Sequence, residues 1–255
     1  MGSRIGESPG VIAVYSPKGG VGKTSISVDL AWRCASQGRH RTLLWDLDIQ
    51  GGSGFVLNVG RNAFIRDPKF FSKSDKLRQA IELTSYDKLF YLGTSSSLRD
   101  LPFHLMRLGP KRMIPLQARD LSRTFDRIIV DCPPWRNEVS DQIYEAAQLM
   151  IVPLPVSPLA ARALEDVRED LARTGRRNLP ILPVFSMYDA RRKAHREARS
   201  GWMAPFPIIP AANEIEQSAF RQAPVGTFAA CSAAARAQEY LWRGIERKID
   251  PRCSH

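Results

Sequence analysis

A glycine-dense turn near the start of the chain carries side chains that can bind phosphate. An apolar run from Val11 to Tyr15 precedes the turn, and the apolar positions of a helix follow it. Glycines let successive backbone N–H groups point into one concavity, and the helix N-terminus adds partial positive charge. Lys23 can reach phosphate oxygens, and the Thr24 hydroxyl can ligate Mg²⁺. The order of strand, glycine turn and helix predicts a nucleotide site rather than a turn that binds nothing.

Two acidic segments follow later strands. The first, DLDIQGG, begins at Asp46, and the second, DCPP, begins at Asp131. Carboxylates at the carboxyl end of a strand, beside a phosphate loop, lie where metal and water chemistry takes place in doubly wound sheets. Strand alternation would place Asp46 and Asp48 on one side, facing the site, and Asp131 can hold Mg²⁺ through a water. The alternatives are an acidic turn that caps a helix and a core strand that ends in an unrelated aspartate.

Together these motifs resemble the ParA/MinD family of ATPases, which has a deviant phosphate loop (deviant Walker A). The family's signature lysine matches Lys18, its D-x-D-x-Q-G segment matches at Asp46, and its D-x-P-P segment matches at Asp131. Pro17 stands where an ordinary phosphate loop has its first glycine, which family members often lack. The resemblance implies that Lys18 reaches across a nucleotide sandwich dimer to the partner's phosphates and that Asp48 positions or activates the attacking water. The implied catalytic residues are Lys18, Lys23 and Asp48, and the implied metal-site residues are Thr24, Asp46 and Asp131.

Two segments of the C-terminal half resemble the family's loops at the nucleotide base. Met187 and Asp189 lie in a match to M-F/Y-D-x-R, and Pro210 and Ala211 lie in a match to the I-P loop. The resemblance implies that these segments close over the base, with backbone contacts from Pro210 and Ala211. The residues implied to bind ATP are therefore Lys18, Gly19, Gly20, Val21, Gly22, Lys23, Thr24, Ser25, Met187, Asp189, Pro210 and Ala211.

The charge balance is strongly basic and suggests a polyanionic partner. Lys and Arg number 37 against 26 Asp and Glu, a formal net charge of +11. Such an excess favours nucleic acid or an anionic membrane face, although a solvated basic surface is the alternative. In the resembling family, arginines from this half of the chain bind DNA without reading bases. The implied DNA-binding residues are Arg191, Arg192, Lys193, Arg196 and Arg221, and we expect His195 among them to be exposed.

Strands that alternate with helices predict an α/β fold: a doubly wound, mostly parallel sheet with helices on both faces, of the P-loop NTPase type. We expect a disordered tail over residues 1–10 and a single ATPase domain over 11–250. Helices are predicted over 75–83, 98–108, 115–124, 159–174 and 232–248, with Leu116, Leu159 and Tyr240 among their inward residues. Runs of about 18 apolar residues, which a membrane span needs, are absent from the sequence. The four cysteines lack metal-ligand spacing, and this favours the cytosol.

The resemblance implies an ATP-hydrolysing dimerisation switch with ATP and Mg²⁺ as ligands. It implies a homodimer on ATP that binds DNA non-specifically over the nucleoid, hydrolyses ATP weakly alone, and is stimulated by a ParB-like protein or cargo adaptor. The cargo would be a plasmid, a chromosome or a protein cluster. One alternative is a MinD-like or polysaccharide-secretion ATPase that touches the membrane through the basic closing helix. Another is a metabolic ligase such as a cobyrinate-type amidation enzyme, for which 255 residues leave little room.

Overall fold

The computed structural model describes residues 10–59, 64–65, 74–94, 113–134 and 136–249. Over these residues nine strands form one sheet, in the order β3-β5-β2-β6-β1-β7-β8-β9, with β4 added beside β5. Every pair along that order is parallel, and β4 alone runs antiparallel to its neighbour. The strands are β1 (Gly10–Val14), β2 (Thr42–Asp46), β3 (Phe64–Ile65), β4 (Glu82–Leu83), β5 (Leu89–Thr94), β6 (Arg127–Asp131), β7 (Leu149–Pro155), β8 (Ile181–Tyr188) and β9 (Ile208–Pro210).

Helices cover both faces of this sheet, as the sequence predicts. The described helices are α1 (Lys23–Ser36), α2 (Gly52–Val56), α3 (Ser74–Gln79), α4 (Met113–Leu121), α5 (Glu138–Ala146), α6 (Leu159–Arg173), α7 (Lys193–Ser200), α8 (Asn213–Arg221), α9 (Val225–Phe228) and α10 (Ala233–Ile249). One core cluster joins α4, α5 and α6 to one face. A second cluster joins α1, α2 and α10 to the other face. The predicted doubly wound α/β architecture is therefore confirmed.

The central strands are buried throughout, and their interior positions are apolar, because both of their faces are covered. All five residues of β1 are buried, as are all five of β2 and of β6. Alternate side chains supply the two cores, so that Val11 and Ala13 join one cluster while Ile12 and Val14 join the other. Continuous apolar runs of this kind are typical of buried parallel strands.

The segment between β2 and β5 departs from the prediction. The helix predicted over 75–83 ends at Gln79, and Glu82–Leu83 form the short strand β4 instead. Pairing with β5 at Tyr91 and Phe90 gives this backbone hydrogen-bond partners that sequence periodicity does not reveal. The helix predicted over 98–108 lies outside the described residues. So do residues 1–9 of the predicted tail, while Gly10 already belongs to β1.

Three apolar side chains predicted to point inward lie at the surface. Leu116, Leu159 and Tyr240 are all more than half exposed. Leu159 is the first residue of α6, and the buried stripe of that helix begins at Ala160 instead. Tyr240 falls beside the inward stripe of α10, which includes Ala234, Gln238, Leu241 and Ile245. That stripe has the 4-3-4 spacing of an amphipathic helix, so adjacent Tyr240 is turned away from it.

Helix α10 is docked on the core by buried polar contacts as well as apolar ones. Arg33 in α1 donates to the Ala235 carbonyl at 2.9 Å. Arg127 in β6 donates to Glu246 at 2.6 Å, and His40 lies 3.3 Å from the same carboxylate. These contacts fix α10 against α1 and the start of β6. Among the helices described, α10 included, none has the length and apolarity needed to cross a bilayer.

Candidate nucleotide-binding site

Three adjacent strands bring the predicted motifs to one edge of the sheet. In the order β2-β6-β1, Asp131 is in register with Asp46 on one side and with Val14 on the other. The glycine turn follows β1 directly, so it begins beside both aspartates. The structure therefore brings the phosphate loop and the two acidic segments together, at the carboxyl edge where doubly wound sheets bind ligands.

The glycine turn has the backbone conformation that a phosphate cradle needs. Gly20 and Gly22 have φ values of 72° and 83°, in the left-handed region that favours glycine. A Cβ built at Gly19, Gly20 or Gly22 would meet no described atom within 4 Å, so the concavity is open. Gly22 is the N-cap of α1, and its carbonyl accepts from Ile26 N at 3.0 Å. The helix N-terminus therefore faces the open turn and can stabilise an anion there.

The two lysines of the turn are placed differently. Lys23 is 7% exposed and begins α1. The prediction that its ammonium binds the phosphates held by its own subunit is compatible with this position. Lys18 lies in the exposed part of the turn, where its backbone N–H donates to Ser16 Oγ at 3.3 Å. Its ammonium has no hydrogen-bond or ion-pair partner within the described residues. Lys18 is thus available to a group outside this subunit.

The carboxylates at the strand ends are buried side by side. Asp46 and Asp131 are both inaccessible to solvent. Burial raises the pKa of Asp46 to about 6, although the Ser53 hydroxyl at 2.5 Å opposes this shift. Burial and the neighbouring Asp46 raise the pKa of Asp131 well above its ordinary value, against the Thr24 and Ser27 hydroxyls. A nearby cation would favour the ionised form of these two desolvated carboxyl groups beside the phosphate cradle.

The residues present fit a magnesium ion at this point. Asp131 Oδ2 is buried and has no hydrogen-bond partner in the described part of the chain. Thr24, the first hydroxyl of α1, interacts with that carboxylate. Thr24, Asp131 and, behind them, Asp46 would hold Mg²⁺, whose ligands are hard oxygens. The ion would supply positive charge against the phosphates when bound.

Asp48 is placed by a turn rather than by strand alternation. Strand β2 ends at Asp46, and the Asp48 N–H donates back to Asp46 Oδ1 at 3.0 Å. Gly51, with φ of 63°, is the N-cap of α2. A Cβ on Gly52 would lie 3.3 Å from Thr24 Cγ2, so this segment packs directly on the phosphate loop. Asp48 is therefore half-buried at the mouth of the cradle, and its role with water stays a prediction.

A cavity of about 330 Å³ adjoins the cradle on the side of β8 and β9. Met187 has φ of 58°, a conformation that is unusual for a side-chain-bearing residue and is concentrated at functional sites. Ser186 Oγ donates to the Val21 carbonyl at 2.8 Å and so ties β8 to the phosphate loop. The predicted residues that the structure places around this cavity are Gly22, Ser25, Met187, Asp189, Pro210 and Ala211.

Asp189 holds the loop that follows β8. Arg191 donates to both carboxylate oxygens at 2.9 and 3.0 Å, and this pairing lowers the pKa of Asp189 to about 2. The Asp189 N–H donates to His195 Nδ1 at 3.0 Å. His195 is 9% exposed, so the expectation of an exposed histidine is wrong. The ring is buried because it satisfies a backbone donor of the loop.

The side chains of the basic cluster differ in their exposure and in their partners. Arg191 and Lys193 are 90% and 83% exposed, although each has an acidic neighbour. Arg192 lines the cavity, and Arg196 donates to the carbonyls of Ala190 and Arg191. Arg221 lies on α8, with its guanidinium over the Phe228 ring. The assignment of these residues to DNA stays a prediction.

Three residues that contact Asp46 or line the cavity are not predicted by the sequence motifs. Ser53 and Tyr91 donate to Asp46 Oδ2, at 2.5 and 3.2 Å. Gln238 of α10 is part of the cavity wall. A serine after the D-x-D-x-Q-G segment and a tyrosine within a strand give no signal of their own. The signal for Gln238 is an amide at a position of the inward stripe of α10, where apolar residues are expected.

Comparison with known proteins agrees with this geometry. A family model described as an AAA domain matches residues 10–180. The chain is 26% identical over 245 residues to the chromosome-partitioning ATPase Soj of Treponema pallidum (strain Nichols), covering 92% of this chain and 96% of that protein. The chain therefore belongs to this AAA domain family and, within it, to the ParA/MinD family of partition ATPases.

Two solved structures share the fold. The septum site-determining protein MinD from Pyrococcus horikoshii OT3, complexed with Mg-ADP, has a TM-score of 0.76 at 21% identity, over 96% of this chain and 99% of that one. Cobyrinic acid a,c-diamide synthase from Mycobacterium smegmatis, with bound ATP analog and magnesium, has a TM-score of 0.77 at 22% identity, over 94% and 95%. At these identities the likeness establishes the P-loop NTPase fold.

Proposed function

We propose that this protein is an ATP-driven dimerisation switch that positions a cargo on DNA. In this proposal the glycine turn and Lys23 bind the phosphates of ATP, and Thr24 and Asp131 hold Mg²⁺. Asp48 orients the attacking water. Positioning and charge neutralisation supply most of the catalysis in phosphoryl transfer, so little covalent chemistry is asked of the protein. The Mg-ADP of the MinD structure and the chromosome partitioning of Soj support this assignment.

The observation that carries the proposal is the position of Lys18. Its ammonium is exposed, unpartnered among the described residues, and only five residues from the cradle lysine. A lysine there can complete the phosphate site of a second subunit placed face to face with the first. ATP bound between the two subunits would then stabilise the dimer, and hydrolysis would remove that stabilisation.

DNA is proposed as the polyanion because two highly exposed cations of the C-terminal half lie beside the nucleotide loop. Arg191 and Lys193 project from the segment that Asp189 holds, and Asp189 lines the base cavity. Nucleotide binding can thus change how these cations are presented. The proposed location is the nucleoid, and a partner protein that accelerates hydrolysis would release the dimer.

The membrane alternative has less support because α10 is already docked. Leu241 and Ile245, the large apolar residues of its inward stripe, are buried in the core and are not free to enter lipid. Chain length does not exclude the ligase alternative, because the cobyrinic acid synthase chain is matched over 95% of its own length. The expectation that 255 residues are too few for such an enzyme is therefore wrong.

The test is DNA binding with and without ATP for Arg191→Ala/Lys193→Ala, against the control Arg243→Ala/Arg247→Ala. Both variants remove two exposed cations, and the control pair lies on α10. We expect wild type to bind DNA only with ATP, and the loop variant to lose at least about tenfold in affinity. The control should lose less. ATP-dependent pelleting with anionic vesicles that only the α10 variant loses would support the membrane alternative instead.

A further inference from the structure

The amide of Gln238 is buried without hydrogen-bond partners. The residue is 3% exposed, and both Oε1 and Nε2 lack a partner within the described part of the chain. A buried polar group without a partner costs on the order of 1–3 kcal/mol. Gln238 nevertheless occupies the inward stripe of α10, between Ala234 and Leu241, where an apolar residue would avoid this cost. A ligand that pairs with the amide would explain its presence.

Gln238 is part of the wall of the cavity beside the phosphate cradle, together with Ile26, Ile209 and Ile215. Mostly apolar walls with a small number of placed polar groups are typical of small-molecule and cofactor sites. The last torsion of a glutamine side chain is broad, so its amide can turn toward a ligand at low cost. An amide placed there offers one donor and one acceptor side by side.

The other polar groups of the cavity indicate which base would fit. Pro210 has no N–H, and the Ala211 N–H already donates to the Tyr188 carbonyl at 2.8 Å. Ser186 Oγ donates to the Val21 carbonyl. Glu216 adds a carboxylate to the same wall. Arg192, the cation of this wall, pairs with Asp189 at 3.7 Å. The Glu216 carboxylate is an acceptor, which suits the exocyclic amine of adenine and opposes the O6 of guanine.

We propose that Gln238 is the specificity-determining residue for adenine, pairing through its amide with the exocyclic amine and an adjacent ring nitrogen. The same pairing of an amide with two atoms of adenine is used in the recognition of DNA bases. This inference rests on the proposed function, since it assumes that the cradle binds a nucleoside triphosphate. It adds a residue outside the motifs, contributed by the closing helix.

The test compares Gln238→Met with wild type for binding of ATP and of purine riboside triphosphate, which lacks the exocyclic amine. Wild type should prefer ATP by on the order of tenfold or more. Gln238→Met keeps the length of the side chain and removes both polar atoms, so ATP affinity should fall and the preference should disappear. Its unfolding temperature without nucleotide should equal or exceed that of wild type, which separates this role from a structural one.

The outcomes separate the inference from the proposed function. Unchanged ATP affinity in Gln238→Met, or an unchanged preference for ATP, would overturn the inference and leave the nucleotide site standing. Failure of wild type to bind either triphosphate would overturn both. Should Gln238→Met fold poorly, Gln238→Glu keeps the shape and removes the donor. It should show the same direction of loss for ATP, and wild-type affinity in that variant would contradict the inference.

Discussion

At the scale of single residues, the site is built around two buried carboxylates that lie side by side. Asp131 has one carboxylate oxygen without a partner among the described residues, and Asp46 lies beside it. Burial raises the pKa of both groups, which means that each ionised carboxylate is destabilising in the unliganded protein. A bound cation would remove that cost. Binding of a cation would therefore stabilise the folded protein.

Asp131→Asn should separate the cost of the buried charge from the stabilisation that a bound cation gives. Without nucleotide, the variant should unfold at the same temperature as wild type or higher, because the buried charge is gone. With ATP and Mg²⁺, wild type should gain about 2.7 kcal/mol at a ligand concentration of 100 Kd, and the variant should gain little. Thermal unfolding with Mg²⁺ or with EDTA measures both effects.

Asp126→Asn is the matched control for that substitution. Asp126 precedes the same strand but caps the Arg41 N–H at the opposite end of the sheet. It should retain the nucleotide-dependent stabilisation. An Asp131→Asn protein that is destabilised without ligand, yet stabilised by Mg-ATP as well as wild type, would refute a metal role for Asp131.

Which residues could be predicted depends on whether their role is local. The cradle glycines, Lys23 and the acids at strand ends are marked in the sequence because their spacing carries the chemistry. His195 is different, since its burial depends on a bond to the Asp189 backbone. Tyr91 and Gln238 reach the site from a distant strand and helix, and only the tertiary fold brings them there.

At the scale of elements, α10 carries Gln238 in the cavity wall and Glu246 at the start of β6. Glu246 near its C-terminus receives Arg127 and His40, and Cys34 Sγ donates to it at 3.4 Å. Arg33 holds the N-terminal third of the helix at Ala235. Both contacts position the stripe that carries Gln238. The Glu246 cluster should therefore contribute to stability and to base binding.

Glu246→Gln should destabilise the protein by about 3 kcal/mol at pH 7, since it leaves Arg127 buried without its ion pair. Burial would raise the pKa of Glu246, but His40 and Arg127 outweigh burial and lower it to about 2. A depressed pKa gives stability that is present above the unfolded value of 4.5 and lost as pH falls toward 2. Urea unfolding should show the difference between wild type and variant shrinking over that range.

Glu165→Gln supplies the control for that experiment. Glu165 pairs with Arg168 on the exposed face of α6, where both side chains are more than half exposed. Such a pair contributes less than about 1 kcal/mol. A loss in Glu246→Gln as small as in this control, or one independent of pH, would show that the buried cluster does not hold α10.

A helix or strand can be predicted when local sequence defines it, and not when a distant partner does. The helix after the glycine turn and the strand that ends at Asp131 have clear apolar periods bounded by motifs, and both are confirmed. The predicted helix over 75–83 is wrong in its second half because pairing with β5 decides the conformation of Glu82–Leu83. Local periodicity cannot report a partner that lies beyond the segment.

At the scale of the whole molecule, the structure is one half of the proposed switch. The sheet order places the cradle, both acids and the base cavity along one edge. Lys18 lies in the exposed part of the glycine turn at that edge. The architecture could be predicted because strands and helices alternate and the motifs fall at strand ends. The subunit arrangement could not be derived from periodicity, since it depends on which group of a second subunit the exposed Lys18 ammonium contacts.

The most direct measurement is ATP turnover by Lys18→Ala and Asp48→Ala, each alone and mixed in equal amounts. If Lys18 acts across the dimer, each variant alone is inactive. A mixed dimer then has one complete site, formed by Asp48 of one subunit and Lys18 of its partner. Random pairing should restore up to about a quarter of wild-type turnover. A mixture as inactive as its components, or wild-type turnover by Lys18→Ala alone, would contradict a site completed by a second subunit.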